Sequence, residues 1–189
     1  VCVGSALNLT SSTIAGATYA WTGPNVFTST NQNPTIASPT TLASGTYSVI
    51  ARIGTCLSLA GPTNVTINAL PIAPTTSPNS PVCSGSALNL TATNVAGATY
   101  AWTGPNSFSS ASQNPTIASP TTLASGTYNV TVTVGTCTSA VASTTVVINP
   151  IPATPTASSN SPVCAGSALN LTASNVAGAT YSWTGPNSF

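Results

Sequence analysis

Alternating apolar and polar residues define a series of short strands, most clearly in the middle of the chain. Residues 87–91 alternate with Leu88 and Leu90 on one side, and residues 128–134 alternate with Tyr128 and three valines on one side. Further predicted strands cover residues 98–102, 116–117 and 144–148. Gly, Pro and Asn separate the strands, and no window has the apolar spacing of an amphipathic helix. Short strands with regular turn signals predict an all-β sandwich or barrel.

The same pattern recurs with a period of 81 residues. Trp21, Trp102 and Trp183 are evenly spaced, since 102 − 21 = 81 and 183 − 102 = 81. Residues 1–81 align with residues 82–162 without a gap, at about two-thirds identity. A unit of this length is too long for most solenoid repeats and suits a small domain.

Two proline-rich stretches, residues 71–81 and 150–162, mark the boundaries between units. Proline favours extended backbone, so we expect short, stiff spacers, part of which pairs as a first edge strand. We predict three domains, which we call repeats 1, 2 and 3: residues 1–73, shortened at the N-terminus; residues 74–154; and residues 155–189, shortened at the C-terminus.

Two local features favour an immunoglobulin-like sandwich. A lone Trp lies on the third predicted strand, where such domains bury one, and the sequences of residues 44–47 and 125–128 resemble the tyrosine corner that opens strand F. The cysteine pair at the centre of antibody domains is replaced by aliphatic residues, Leu9 with Val49 and Leu90 with Val130. The predicted core residues are Trp21, Trp102, Trp183, Tyr47 and Tyr128.

The five cysteines predict a disulfide framework. We expect the bonds Cys2–Cys56 and Cys83–Cys137, each spanning 54 residues, and a partner for Cys164 beyond the last residue. The alternative is metal or redox chemistry, which the lack of His and of any Cys-x-x-Cys motif disfavours. Disulfides indicate an oxidising, extracellular setting.

Charge is nearly absent, which narrows the function classes. The chain has one Lys or Arg (Arg52) and no Asp, Glu or His. No side chain is present that could serve in general acid–base catalysis, activate a Ser or Thr nucleophile, or supply the carboxylates of a calcium site. We therefore expect no enzyme activity, cofactor or metal. Nucleic acid is a poor partner without clustered cations. No apolar run approaches the roughly 20 residues that span a bilayer, so we expect no membrane insertion.

Two side-chain sets have alternative interpretations. The three Trp residues could stack on sugars, although burial in a sandwich core is the interpretation we favour. Five Asn residues head Asn-x-Ser/Thr triplets, which are glycosylation acceptors where the machinery exists and ordinary strand sequence elsewhere. They are Asn8, Asn64, Asn89, Asn129 and Asn170.

The ordered motifs resemble a known family. They are Ser-Pro-Val-Cys-x-Gly-Ser-x-Leu-Asn-Leu-Thr, Ala-Gly-Ala-Thr-Tyr-x-Trp-Thr-Gly-Pro-Asn-x-Phe, Ser-Gly-Thr-Tyr-x-Val and Gly-Thr-Cys-x-Ser. Together they are similar to the Ig-like (PKD-like) tandem repeats of large cell-surface adhesins of gliding bacteria, which are type IX secretion substrates. The resemblance covers nearly the whole chain. It implies an Ig-like fold in a cell-surface array.

We therefore expect a structural or adhesive repeat region of an extracellular surface protein, acting as a stalk or spacer. One alternative is a self-assembling filament or sheath, because the strand edges lack the charges that normally prevent edge-to-edge pairing. A carbohydrate-binding module is a weaker alternative. The expected partners are neighbouring repeats or identical chains, and surface glycans.

Overall fold

The structure is a computed structural model that describes residues 1–186. Residues 187–189, the end of the predicted third repeat, lie outside the described residues. The strands of repeat 1 are β1 (Leu7–Asn8), β2 (Thr18–Gly23), β3 (Phe27–Ser29), β4 (Thr35–Ile36), β5 (Gly45–Ile53), β6 (Cys56–Leu57) and β7 (Gly61–Val65).

Repeat 2 contains the fullest set of strands. They are β8 (Thr76–Pro78), β9 (Val82–Cys83), β10 (Leu88–Ala92), β11 (Thr99–Gly104), β12 (Phe108–Ser110), β13 (Thr116–Ile117), β14 (Gly126–Val134), β15 (Cys137–Thr138), β16 (Ala142–Val146) and β17 (Ile148–Asn149). Repeat 3 contributes β18 (Ala157–Ser159) and β19 (Leu171–Ala173). Short 3₁₀ turns at Thr41–Ala43 and Thr122–Ala124 precede β5 and β14.

Two sheets form the sandwich of repeat 2. One has the order β12-β11-β14, with β15 and then β16 pairing along the far edge of β14. The other has the order β13-β10-β8, so part of the proline-rich spacer supplies an edge strand. All these pairs are antiparallel, whereas β9 and β17 form a short parallel pair in which Cys83 lies opposite Asn149.

The core lies between the two sheets of repeat 2. Alternation places Leu88 and Leu90 on the inner side of β10, and Val130 and Val132 on the inner side of β14, all fully buried. Trp102 is buried with them. The aliphatic residues thus occupy the place of a central disulfide.

A tyrosine corner fixes the start of β14. The Tyr128 hydroxyl donates a hydrogen bond of 2.9 Å to the Ala124 carbonyl, and the Phe108 ring packs edge-on against the Tyr128 ring at 5.4 Å. A Cβ at Gly104 would overlap the Tyr128 ring, so only glycine lets the β11 backbone pass this close. Repeat 1 has the same hydrogen bond, from Tyr47 to Ala43.

Repeat 3 contributes one strand pair, and it corrects the prediction for Trp183. Strands β18 and β19 pair as β8 and β10 do. Trp183 is 37% exposed, although Trp21 and Trp102 are buried. The prediction of a core Trp183 is wrong because no second sheet covers this strand pair within the described residues.

The fold is all-β and consists of tandem β-sandwich domains of immunoglobulin-like type with an 81-residue repeat. The two-sheet arrangement, the buried Trp and the tyrosine corner are the features that define it. Within residues 1–186, none of the helices has the length and apolar character needed to cross a bilayer.

Candidate interface between repeats

A disulfide joins repeat 1 to repeat 2. Cys2 is bonded to Cys137, with a Cα–Cα distance of 5.6 Å and a sequence separation of 135 residues. Cys56, Cys83 and Cys164 are free and exposed. The predicted bonds Cys2–Cys56 and Cys83–Cys137 are therefore not the ones that the structure forms.

Strand direction explains why the within-repeat pairing fails. Cys83 lies opposite Asn149 at the end of β17, whereas Cys137 lies opposite Val134 at the far end of β14. Strand β14 alone separates these two ends by roughly 26 Å, at about 3.3 Å per residue. Disulfide-bonded cysteines have Cα atoms only about 4–7 Å apart. The two cysteines of one repeat thus lie at opposite ends of its sandwich.

The turn between β14 and β15 presents Cys137 to repeat 1. Gly135 has φ +60°, a conformation that glycine adopts without strain, and it allows the tight reversal after Val134. The Thr136 hydroxyl lies 3.7 Å from the Cys2 sulfur. This turn and the loop holding Val95 lie at one end of repeat 2, as B–C and F–G loops do in immunoglobulin domains.

One shallow cleft lies between the C-terminal end of repeat 1 and the end of repeat 2 that carries the β14–β15 turn. Repeat 1 contributes residues 68–71 to it, and repeat 2 contributes Val95 and residues 134–136. Cys2 is held beside this segment because it forms a parallel bridge with Asn68, and Val3 N–H donates to the Asn68 carbonyl at 2.9 Å. We call this region, together with Cys2 and Cys137, the junction.

Residues at the junction are more buried than their counterparts at the free end of repeat 1, which is the end with the β5–β6 turn and Cys56. Cys137 is 2% exposed, whereas its counterpart Cys56 is exposed. Val95 is half-buried, whereas its counterpart Ile14 is 40% exposed. Neighbouring repeats therefore cover residues that are open at the free end.

The tryptophans of repeats 1 and 2 lie in the sandwich cores, as predicted. Trp21 and Trp102 are buried, and their indole N–H groups donate to the Gln32 and Gln113 carbonyls at 3.1 and 3.2 Å. Burial also raises the pKa of both corner tyrosines, Tyr47 and Tyr128, above the ordinary value of 10.0.

Four of the five Asn residues of the Asn-x-Ser/Thr triplets lie in strands, and Asn170 directly precedes β19. Asn8 and Asn89 accept hydrogen bonds of 2.8 Å from the hydroxyls of Thr35 and Thr116. Asn64 and Asn129 accept similar bonds from neighbouring strands. Asn170 is exposed. These side-chain bonds stabilise pairing between strands, and glycosylation at these positions stays a prediction.

Metal-binding chemistry has no cluster to use in the described part of the chain. Among residues 1–186, no group of three or more His, Cys, Asp or Glu side chains could hold a metal ion. Every buried side-chain nitrogen or oxygen described there has a hydrogen-bond partner.

Comparisons with known proteins give no family and only distant structural similarities. No protein-family model matches the chain, and no curated protein matches it. One similar solved structure is the crystal structure of a mouse coronavirus receptor-binding domain complexed with its murine receptor (13% identity, TM-score 0.47). Another is murine CEACAM1b (14% identity, TM-score 0.44). Both matches cover 80% of this chain and 95% of the other.

Proposed function

We propose that the chain is a structural, non-catalytic stalk segment in which immunoglobulin-like repeats are bonded end to end. The Cys2–Cys137 disulfide carries this proposal, because it joins opposite ends of adjacent domains rather than two strands of one domain. A bond in that place adds a second covalent connection beside the backbone segment 69–75, which runs from the Cys2–Asn68 bridge to strand β8. Two connections restrict bending and twisting at the junction more than one linker does.

The bond also shortens the covalent path that carries tension. A force applied at the two ends passes from Cys2 directly to Cys137 and bypasses the segment between them, whose ends are separated by 135 residues in sequence. Domains inside the bypassed segment cannot be pulled out into extended chain. A stalk that holds an object at a set distance benefits from this limit.

The proposed location is extracellular, with the repeats arrayed on a cell surface. A disulfide between domains persists in oxidising compartments and is rare in reducing ones. The resemblance to adhesin repeats of gliding bacteria supports the same location and export by type IX secretion. The division at residues 1–73, 74–154 and 155–189 belongs to this proposal, and strand β8, which begins at Thr76 and pairs within repeat 2, supports it.

A self-assembling filament is the second candidate, and exposed apolar side chains favour it. Leu57 and Leu59 are exposed next to Cys56, Ile72 is exposed after the junction segment, and the whole chain carries only one charged side chain to oppose association. Sedimentation velocity over a hundredfold concentration range tests this candidate. A constant monomer coefficient supports the stalk, and growth of large species supports the filament.

Single-molecule pulling between tags at the two ends tests the stalk. With the junction bond intact, only residues beyond Cys137 extend, and 189 − 137 = 52 residues correspond to about 180 Å. After reduction, 188 residues correspond to about 650 Å. The predicted within-repeat bonds would instead leave 27 + 52 = 79 extensible residues, or about 280 Å.

Two variants control the pulling experiment. Cys83→Ser removes a free thiol and should keep the short extension, whereas Cys2→Ser should give the long extension without any reductant. Equal extensions for the oxidised chain and for Cys2→Ser would contradict the proposal.

A further inference from the structure

Each exposed cysteine in repeats 1 and 2 matches one half of the observed bond. Adding the period to Cys2 gives 2 + 81 = 83, which is Cys83, and subtracting it from Cys137 gives 137 − 81 = 56, which is Cys56. Both thiols are free and exposed. The unpaired thiols are thus repeats of a bonding arrangement that already exists within this chain.

The backbone around the free thiols has the geometry of the bonded pair. Cys83 lies opposite Asn149 in a parallel bridge, as Cys2 lies opposite Asn68. Cys56 lies opposite Ile53 across the β5–β6 turn, as Cys137 lies opposite Val134 across the β14–β15 turn. Each thiol is therefore already held where the bond of the next junction requires it.

The apolar residues around these thiols are uncovered in the same way. Ile151, the counterpart of Leu70, is 68% exposed, whereas Leu70 at the junction is 47% exposed. Ile14 and Ile53 are exposed at the other end, near Cys56. A further junction would cover both groups, as the existing junction covers Val95.

We infer that Cys83 and Cys56 are sites for the same bond with further copies of the repeat, so that the disulfides form a staggered ladder. Cys83 bonds to the counterpart of Cys137 in the following repeat, which we call its turn cysteine. Cys56 bonds to the counterpart of Cys2 in the preceding repeat, which we call its first cysteine. This inference rests on the proposed stalk, since it extends the Cys2–Cys137 bond to every junction.

Bond formation needs an oxidant, and a small-molecule disulfide such as oxidised glutathione supplies it. One protein thiolate attacks this disulfide, forms a mixed disulfide and releases one small thiolate. The second protein thiolate attacks the protein sulfur of the mixed disulfide and releases the other. The two protein thiols lose two electrons, the small disulfide gains them, and the two protons pass to the released thiolates.

A ladder of this kind would strongly limit extension under load. The covalent path passes through the disulfide from Cys2 to Cys137. It then follows the backbone for 164 − 137 = 27 residues to Cys164, where the next disulfide of the ladder begins. Those 27 residues extend to about 95 Å for every two repeats. An unbridged chain of 162 residues would extend to about 570 Å.

Extending the full chain tests the inference. A copy of residues 109–154 added after Phe189, which matches Phe108, completes repeat 3 and brings one new turn cysteine. After oxidation with glutathione, peptide mapping without reductant should find Cys83 linked to the added cysteine. Cys56 and Cys164 should remain as two free thiols, whereas within-repeat bonding would leave none.

The outcomes separate this inference from the stalk proposal. A free Cys83 beside an intact Cys2–Cys137 bond would overturn the ladder alone, and absence of the Cys2–Cys137 bond would overturn both. In the extended chain, Cys83→Ser should raise the free thiols from two to three, and the control Cys164→Ser should lower them to one.

A second extended chain covers the case in which the first does not fold. A copy of residues 82–162 placed before Val1 adds a complete preceding repeat. Its first cysteine should then link to Cys56, protecting that thiol from alkylation. Full alkylation of Cys56 in a folded extended chain would contradict the inference.

Discussion

Repeats 1 and 2 have similar sequences but are not equally packed. In repeat 2, strand β10 runs over five residues, whereas its counterpart β1 runs over two. Val130 and Val132 are fully buried, whereas their counterparts Val49 and Ala51 are half-buried. Val130 and Val49 are the same residue, so the surroundings of each valine set their difference in burial, whereas Val132 stands where repeat 1 has the smaller Ala51.

Two neighbours distinguish repeat 2. Strand β8 extends one sheet by pairing with β10, and its counterpart in repeat 1 would precede Val1. The end of repeat 1 lines a cleft with the turn before Cys137, and Cys137 itself is buried. Each sandwich therefore depends on its spacer strand and on the adjacent repeat, which is typical of repeat arrays with nearest-neighbour stabilisation.

The largest effect should come from removing a buried Trp. Trp102→Ala should lower the free energy of unfolding by about 3–5 kcal/mol, because it leaves a large cavity between two sheets. Trp183→Ala is the matched control, and its effect should be much smaller because no second sheet is described over that residue. Urea unfolding followed by circular dichroism measures both, and equal losses would contradict the comparison.

Supplying the missing edge strand should strengthen repeat 1. A copy of residues 73–81 placed before Val1 gives repeat 1 a counterpart of β8, with new backbone hydrogen bonds worth about 2 kcal/mol in total. Hydrogen exchange with mass spectrometry should show slower exchange in β1 and no change in β14. A scrambled extension of the same composition is the control, and equal protection by both would reject this explanation.

Matched truncations of Val130 and Val49 compare the two repeats at one equivalent position. Val130→Ala removes two methyl groups from a fully buried site and should cost about 2 kcal/mol. Val49→Ala removes the same atoms from a half-buried site and should cost about half as much. Chemical denaturation of the two variants measures the difference, and a larger loss for Val49→Ala would contradict the observed burial.

The smallest effect should be that of pH. The free energy of unfolding should be nearly constant from pH 4 to 8, because no Asp, Glu or His is present to titrate. Above about pH 10 stability should fall, because burial raises the pKa of Tyr47 and Tyr128 and the unfolded chain therefore loses these protons first. Urea titrations with alkylated free thiols test this, and a steep acid transition would contradict it.

Much of the fold could be predicted because local patterns determine it. Alternation located β10, β11 and β14, and the Ser-Gly-Thr-Tyr sequence indicated the corner at Tyr128. Strands β12 and β15 were not predicted, because each has only three or two residues and closely follows a turn signal, Gly104-Pro105-Asn106 or Gly135-Thr136.

The junction could not be predicted because it depends on strand direction across the whole sandwich. Spacing in sequence made Cys83 and Cys137 look like partners, yet β14 carries the chain from one end of the domain to the other between them. The placement of B–C and F–G loops at one end of an immunoglobulin domain was the signal that could have excluded this pair. Trp183 was predicted to be buried because it occupies the place of Trp21 and Trp102 in an immunoglobulin-like repeat, which does not show whether a second sheet is present.

Peptide mapping of the oxidised chain without reductant directly tests whether the disulfide joins repeat 1 to repeat 2. Digestion with chymotrypsin suits this chain, which has a single Lys or Arg, and the free thiols are alkylated beforehand. The account predicts a peptide pair linked through Cys2 and Cys137, with three alkylated cysteines, Cys56, Cys83 and Cys164. The pairs Cys2–Cys56 and Cys83–Cys137, with Cys164 alone alkylated, would contradict it.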